Sequence, residues 1–145
     1  MDMGTQNQRH GEIRNLKAIE EARSALQETI DNSKDIEERR KLGQFSTPID
    51  LAKEIVSYGL TLLPTKEISF LEPCVGSGAF YSALLSVAQN STIQNATGIE
   101  LDVDYFECAS RLWNGSGINL INADFAKIAP NGLYNFVITN PPYVR

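Results

Sequence analysis

The chain is poor in the features that would take it into a membrane, out of the cell or onto a metal. Its 145 residues hold two cysteines and one histidine, and no apolar run reaches the ~20 residues that span a bilayer. The opening MDMGTQNQRHGEIRNLK has no hydrophobic segment of the secretory-signal kind. Cys74 and Cys108 are too far apart for a metal-ligand spacing, so a reduced cytoplasmic setting is expected, with neither metal nor membrane involved. Basic charge is also short. Thirteen Lys and Arg stand against 18 Asp and Glu, a net charge of −5, so no global basic field draws in nucleic acid. Contacts to phosphates would have to come from a local patch or from polypeptide outside these residues. What is present is ordinary for a water-soluble domain with a real core: 42% hydrophobic and 21% charged residues.

Residues 1–11 are polar and read as a disordered tail. Ile13, Leu16, Ile19, Ala22, Leu26 and Ile30 then recur at steps of three and four, the apolar stripe of one helix. Asp31-Asn32-Ser33 interrupts it, and a charged helical stretch, KDIEERRKL, runs to Gly43, a plausible C′ residue. Its cations Lys34, Arg39, Arg40 and Lys41 read as a solvated face or as the local basic patch. Thr47-Pro48 reads as the next helix start, with Thr47 as cap and Asp50 at the capping-box position. That helix is expected to reach about Leu63, with Leu51, Ile55, Val56 and Leu60 inward and Pro64 closing it.

Short apolar runs follow at 68–72 (ISFLE), 96–100 (ATGIE), 118–122 (INLIN) and 134–140 (YNFVITN). Helices are expected at 78–89 and 103–114, and only a turn between the last two runs. Strands alternating with helices imply right-handed crossovers and a parallel sheet covered on both faces.

Four groups of residues fall at the ends of these runs. In LEPCVGSGAF (71–80), Gly76 and Gly78 allow a tight turn and close approach of a ligand to a helix N-terminus; a G-x-G turn serves packing equally well. Glu72 stands before the glycines, and an acid there suits a cationic ligand group better than a pyrophosphate. Glu100 ends the second run, 22 residues after Gly78, where an acid can take both hydroxyls of a ribose. The alternative is an exposed acid ahead of a helix capped by Asp102. Asp124 and Phe125 follow the third run, either as acceptor and packing surface for a base or as a cap and a core aromatic. Asn140-Pro141-Pro142-Tyr143 follows the fourth. Its prolines hold a stiff turn without N–H groups. The Asn140 side-chain oxygen and the Pro141 carbonyl make two adjacent acceptors, suited to an NH₂ group that donates both protons. Tyr143 offers a flat face for the base that carries the amine.

These segments, in this order, resemble the N-terminal part of bacterial S-adenosylmethionine-dependent DNA adenine-N6 methyltransferases of type II restriction–modification systems. The match is to the group whose cofactor half precedes its target-recognition domain. Gly43-Gln44-Phe45-Ser46-Thr47-Pro48 resembles its first motif, and Leu71–Phe80, Gly98–Asp102, Asn122–Phe125 and Asn140–Tyr143 its glycine-rich, ribose, adenine and catalytic motifs. The resemblance implies a Rossmann-like α/β fold and S-adenosyl-L-methionine as cofactor, without a metal. It implies that Thr47, Glu72 and Cys74 meet the methionine end, with Gly76 and Gly78 in the loop. Glu100 would take the ribose, Leu101 lie next to the adenine, Asp124 hold its amine and Phe125 lie against its ring. Asn140 and Pro141 would bind the target amine, and Tyr143 would stack on a base flipped from the duplex. Cys74 departs from the small Ala often found there; a thiol is only slightly larger, and binding is expected to survive.

The resemblance also implies organisation: residues 1–42 as tail and helical extension, and 43–145 as a partial methyltransferase domain with the first four strands of a seven-stranded sheet and no recognition domain. The expectation is a fragment, truncated, split or engineered, that does not methylate DNA alone and leaves FVIT as an exposed sheet edge. Its partners would be DNA and possibly a second chain with the remaining strands, on which the 13–30 helix could dock instead of on its own sheet. Two other readings share the Asn-Pro-Pro-Tyr device. One is a methyltransferase acting on glutamine N5 or RNA guanine N2, against which the Phe-Ser-Thr-Pro segment argues. The other is a non-catalytic remnant or subunit of a split enzyme.

Overall fold

A computed structural model of the chain describes residues 3–41, 45–129 and 132–142. Its elements are α1 (Met3–Ser33), α2 (Ile36–Lys41), α3 (Ile49–Leu62), β1 (Glu67–Glu72), α4 (Ala79–Val87), β2 (Thr92–Glu100), α5 (Val103–Leu112), β3 (Ile118–Asn122), a 3₁₀ turn at Phe125–Lys127 and β4 (Phe136–Val137). The strands form one parallel sheet in the order β3-β2-β1-β4. The chain steps outward from β1 to β3, then returns to the other side of β1. That reversal places a topological switch point between β1 and β4, where ligands of open α/β sheets bind.

Both crossovers from β1 to β3 run in one direction, so right-handedness sets α4 and α5 on the same face. Helix α3 packs on α4, and α1 packs on α4 and α5. Among the described residues the sheet is therefore covered by helices on one face and not on both. The connection from β3 to β4 lies against the other face, where Tyr134 Oη donates to Thr97 Oγ1 at 3.1 Å and Ser69 Oγ to the Leu133 carbonyl at 3.0 Å. Burial is accordingly greatest on the helix side, where Ile68, Phe70 and Ala96 meet Ala52, Val56, Phe80, Leu84, Trp113 and Phe136. The Phe70 ring stands 6.1 Å from Tyr81 and 5.9 Å from Phe136.

Several expectations are corrected. The polar start is helical from Met3, since α1 extends through it. β2 begins at Thr92, four residues before the apolar run, because Thr92–Asn95 pair with the start of β1 despite their polarity. β4 is only two residues long, although Asn135 N–H and Ile138 N–H still donate to β1 carbonyls. Helix α3 starts one residue later than read, with Pro48 at the cap position and no capping side chain. Its buried residues are Ala52 and Val56, while Leu51 and Ile55 are exposed. Gly43 lies outside the described residues.

The apolar stripe of α1 holds in part. Among the residues whose side chains are described, Ile30 is buried and Ile19 packs against the core, while Leu16 and Leu26 are half-buried and Ala22 is exposed. Arg23 and Gln27 are buried beside them, a polar strip that the stripe did not announce, and the helix packs on its own domain. Arg23 is held at 2.8 Å by both carboxylate oxygens of Glu20 and reaches Ser77 Oγ at 2.7 Å. Glu20 also accepts from Ser82 on α4. Tyr105 Oη donates to Asp31 at 2.6 Å, and Arg39 pairs with Asp31 at 2.9 Å. Lys34 pairs with Asp102 and lies 4.9 Å from the centroid of the Tyr105 ring. Two of the four cations read as a solvated face or basic patch are thus internal pairs.

A buried charge is tolerable only when its partners are present. Arg23→Ala should therefore lower stability by about 3 kcal/mol in urea unfolding. A loss under about 1 kcal/mol, the range of an exposed pair, would show that the buried strip contributes little.

Candidate active site

The loop after β1 builds the floor of the site. Gly76 and Gly78 have φ of 53° and 86°, left-handed values that favour glycine. A Cβ on Gly78 would also collide with the indole nitrogen of Trp113. Trp113 itself is buried, donates from Nε1 to the Ser77 carbonyl at 2.9 Å and meets Tyr81 edge-on at 5.1 Å. Gly78 is thus the packing position of the pair, at the start of α4, and Gly76 the one that lines the cavities.

Glu100 closes the next strand over this loop. One carboxylate oxygen accepts from Gly76 N–H at 2.7 Å and the other from Asp102 N–H at 2.8 Å. Burial raises its pKa, against the pull of these N–H groups. Each oxygen keeps a further lone pair for a ligand hydroxyl. Asp102 caps α5, accepting from Asp104 and Tyr105 N–H.

Glu72 is 2% exposed. Burial pushes its carboxyl well above the usual range, while the Tyr81 and Phe80 N–H groups and Arg23 favour the charged form. One of its oxygens, Oε2, is buried without a hydrogen-bond partner. An orphaned carboxylate oxygen of this kind is suited to a cationic donor.

Asp124 caps the 3₁₀ turn: Oδ1 accepts from Ala126 N–H at 3.0 Å and Oδ2 pairs with Lys127 at 3.0 Å. Lys127 and the Ala126 N–H hold its pKa below the usual value. The cap reading therefore holds, and Asp124 lines the cavity as well. Phe125 is exposed rather than a core aromatic, and it lines the same cavity as the exposed Leu101.

Asn140 is held from one side. Its amide nitrogen donates to the Phe45 carbonyl and to Thr47 Oγ1, both at 3.2 Å. Thr47 is thus a partner of Asn140 instead of a helix cap. With the nitrogen so engaged, the Asn140 oxygen remains as an acceptor. Pro142 also lines the cavity; Tyr143 lies outside the described residues.

A cavity of ≈ 460 Å³ runs along the C-terminal ends of the strands, bordered by Cys74, Gly76, Glu100, Phe125 and Asn140 among others. A second, of ≈ 50 Å³, adjoins it between Thr47, Glu72, Cys74 and Ser77. The structure so gathers Thr47, Glu72, Cys74, Gly76, Glu100, Leu101, Asp124, Phe125 and Asn140 around one continuous region. The sequence reading missed Gln27, Tyr105 and Pro73, which also line it. Gln27 gave no signal because it stands 49 residues before Gly76 (76 − 27) on a helix read for its apolar stripe. Among the described residues no His, Cys, Asp and Glu side chains group to hold a metal, and no helix is long and apolar enough to cross a membrane.

This architecture is the fold of the class I S-adenosylmethionine-dependent methyltransferases. A solved structure of a putative member from Listeria monocytogenes superposes with a TM-score of 0.64 at 20% identity, covering 86% of this chain and 39% of that one. No family model matches. The sequence relatives narrow the class: the chain is homologous to type II DNA methyltransferases over most of its length. It is 34% identical to the type II methyltransferase M.HincII of Haemophilus influenzae over 116 residues, 80% of this chain and 19% of that protein. It is 28% identical to the modification methylase CviBIII of Paramecium bursaria Chlorella virus NC1A over 108 residues, 74% and 28% of the two lengths. With M.AccI of Acinetobacter calcoaceticus it shares 27% over 124 residues, 84% and 22%. The chain thus spans roughly a fifth to a quarter of the curated relatives it matches.

The site fits the cofactor of that class. The orphaned Glu72 oxygen suits the ammonium of an amino-acid end, Glu100 the hydroxyls of a ribose, and Leu101 and Phe125 are apolar surfaces for a base. Because the folded chain keeps the Glu72 proton to higher pH than the unfolded chain, its stability falls as pH rises from the ordinary carboxylate range to the raised value. Glu72→Gln should therefore melt above the wild type at about pH 8, with the gap closing towards about pH 4. A gap independent of pH in thermal unfolding would show that the carboxyl is not shifted.

Proposed function

We propose that these residues form the cofactor-binding and catalytic part of a site-specific DNA adenine-N6 methyltransferase of a restriction–modification system. The anchoring of Asn140 carries this reading. Phe45 and Thr47 occupy its amide nitrogen, which turns its oxygen into the acceptor that a planar amine requires.

S-adenosylmethionine, when bound, supplies a methyl group on a sulfonium that is already activated for displacement. The chain's own part is positional. Glu72, Cys74 and Thr47 hold the methionine end, and Glu100 the ribose above the Gly76–Gly78 loop. Leu101 and Phe125 enclose the adenine ring, and Asp124 accepts from its amine. The Asn140 oxygen and the Pro141 carbonyl accept the two protons of the target amine, bring its lone pair forward and stabilise the positive charge that grows on it. Pro142 stiffens the turn, and Tyr143 stacks on the extruded base.

In this reading residues 43–145 are the methyltransferase part and 1–42 its helical extension. DNA is held mainly by polypeptide corresponding to the remainder of the longer relatives, in the same or a second chain. The 145 residues bind cofactor but do not transfer methyl groups by themselves, because among the described residues nothing walls the pocket for the extruded base beyond the edge strand β4, where Val137 is 53% exposed.

Calorimetric titration with S-adenosylhomocysteine should show saturable binding by the chain and its loss in Glu100→Ala. No binding by the folded wild type would overturn the reading. Residues 1–145 joined to the C-terminal remainder of M.HincII should place N6-methyladenine in plasmid DNA, with Asn140→Ala slower by about 10²–10³-fold. N4-methylcytosine, or methylation only of release-factor or RNA acceptors, would overturn the adenine assignment, and N6-methyladenine made by residues 1–145 alone would overturn their inactivity.

A further inference from the structure

Gln27 is a polar side chain on α1 that neither the glycine loop nor the Asn-Pro-Pro-Tyr turn explains. It is 9% exposed and borders both cavities, the larger one with Glu100 and Gly76 and the smaller one with Glu72 and Ser77. Its amide nitrogen donates to Asp31 Oδ1 at 2.8 Å and to Tyr105 Oη at 3.3 Å. Those two partners fix the amide plane. Its carbonyl oxygen has no hydrogen-bond donor among the described residues. Unlike the Glu72 oxygen, this one is not shut off from the cavity, so an acceptor with a free lone pair is open to an N–H donor from a ligand.

The helix that carries Gln27 is not loosely placed. One turn earlier, Arg23 is clamped by Glu20 and bonded to Ser77 in the glycine loop. Further along, Asp31 is tied to Tyr105 and Arg39. The amide is thus held in register with the loop from both sides. The smaller cavity is also lined by Glu72, whose Oε2 has no hydrogen-bond partner among the described residues. Two acceptors without donors, a carboxyl oxygen and an amide oxygen, belong to residues that border the same small space. A cation with several N–H donors satisfies both.

We propose that α1 is a wall of the cofactor site and that Gln27 is a positioning residue for the amino-acid end of the cofactor, its carbonyl oxygen accepting from the ammonium group alongside Glu72. This rests on the reading of the two cavities as the S-adenosylmethionine site. It makes residues before the Phe-Ser-Thr-Pro segment part of the binding machinery.

The test compares two probes in calorimetry with the whole chain. S-adenosylhomocysteine carries the ammonium; methylthioadenosine keeps the nucleoside and sulfur but lacks the amino-acid end, and its affinity is read by competition where direct heats are small. Gln27→Met keeps the side-chain volume and removes the acceptor. It should bind S-adenosylhomocysteine about tenfold more weakly and methylthioadenosine as the wild type does. Equal weakening of both probes would assign Gln27 a structural or ribose role and overturn the proposal, as would no weakening of either. Loss of S-adenosylhomocysteine binding in Glu100→Ala, with Gln27→Met unchanged, would sink this inference and leave the site reading intact. Failure of the wild type to bind would sink both. Should Gln27→Met not fold, the wild type decides by nuclear magnetic resonance: its Gln27 side-chain amide signals should shift with S-adenosylhomocysteine and stay in place with methylthioadenosine, and signals unmoved by the former would overturn the proposal.

Discussion

The turn after β1 owes its left-handed backbone to Gly76 and Gly78, and the hydrogen bond from Trp113 Nε1 to the Ser77 carbonyl between them anchors it to the rest of the domain. Trp113 ends α5, so the bond ties the end of the second crossover to the loop of the first. The indole fills the space where a Cβ on residue 78 would sit. With the back of the turn fixed, Ser77 can present its hydroxyl to Arg23 and Gly76 its N–H to Glu100. The loop is thereby set from three directions, and α1, β2 and α4 take their places relative to it.

The polar strip of α1 runs against the usual division of an amphipathic helix, in which the apolar side faces inward. Burying Arg23, Glu20, Gln27 and Asp31 costs desolvation, which these groups offset only together. Such a network discriminates between registers more sharply than an apolar face does. A slide of α1 by one turn would leave aliphatic contacts roughly equivalent but would strand an arginine. Distant partners act in the same way at Asn140: Phe45 and Thr47 lie nearly a hundred residues before it, and both accept a hydrogen bond from its amide nitrogen. The Phe45–Thr47 segment thus orients the side chain of Asn140 at the head of its turn.

Much of this was legible in the chain as written. The four apolar runs became the four strands, the helices at 79–87 and 103–112 lie inside the predicted spans, and among the described residues the only helical piece between β3 and β4 is a 3₁₀ turn. Periodicity failed where burial depends on partners. Val56 and Leu60 pack inward as read, but Leu51 and Ile55 are exposed and Ala52 is buried in their place, where its small side chain lets α3 approach its neighbours. The polar start of β2 gave no strand signal, since Thr92–Asn95 are held by pairing with β1 instead of by hydrophobicity.

The sequence by itself determined the alternation of strand and helix, the glycines that the turn demands and the acids, amide and prolines that end the strands. These are local requirements, met by residue type at a given position along the chain. Only the tertiary structure decided that Thr47 orients Asn140 and that α1 buries Arg23 beside its apolar residues. These depend on partners 93 and 54 residues away, brought into place by the packing of the fold. A hydrogen bond across that separation leaves no pattern in the spacing of residues, because its geometry comes into being only when the chain has folded.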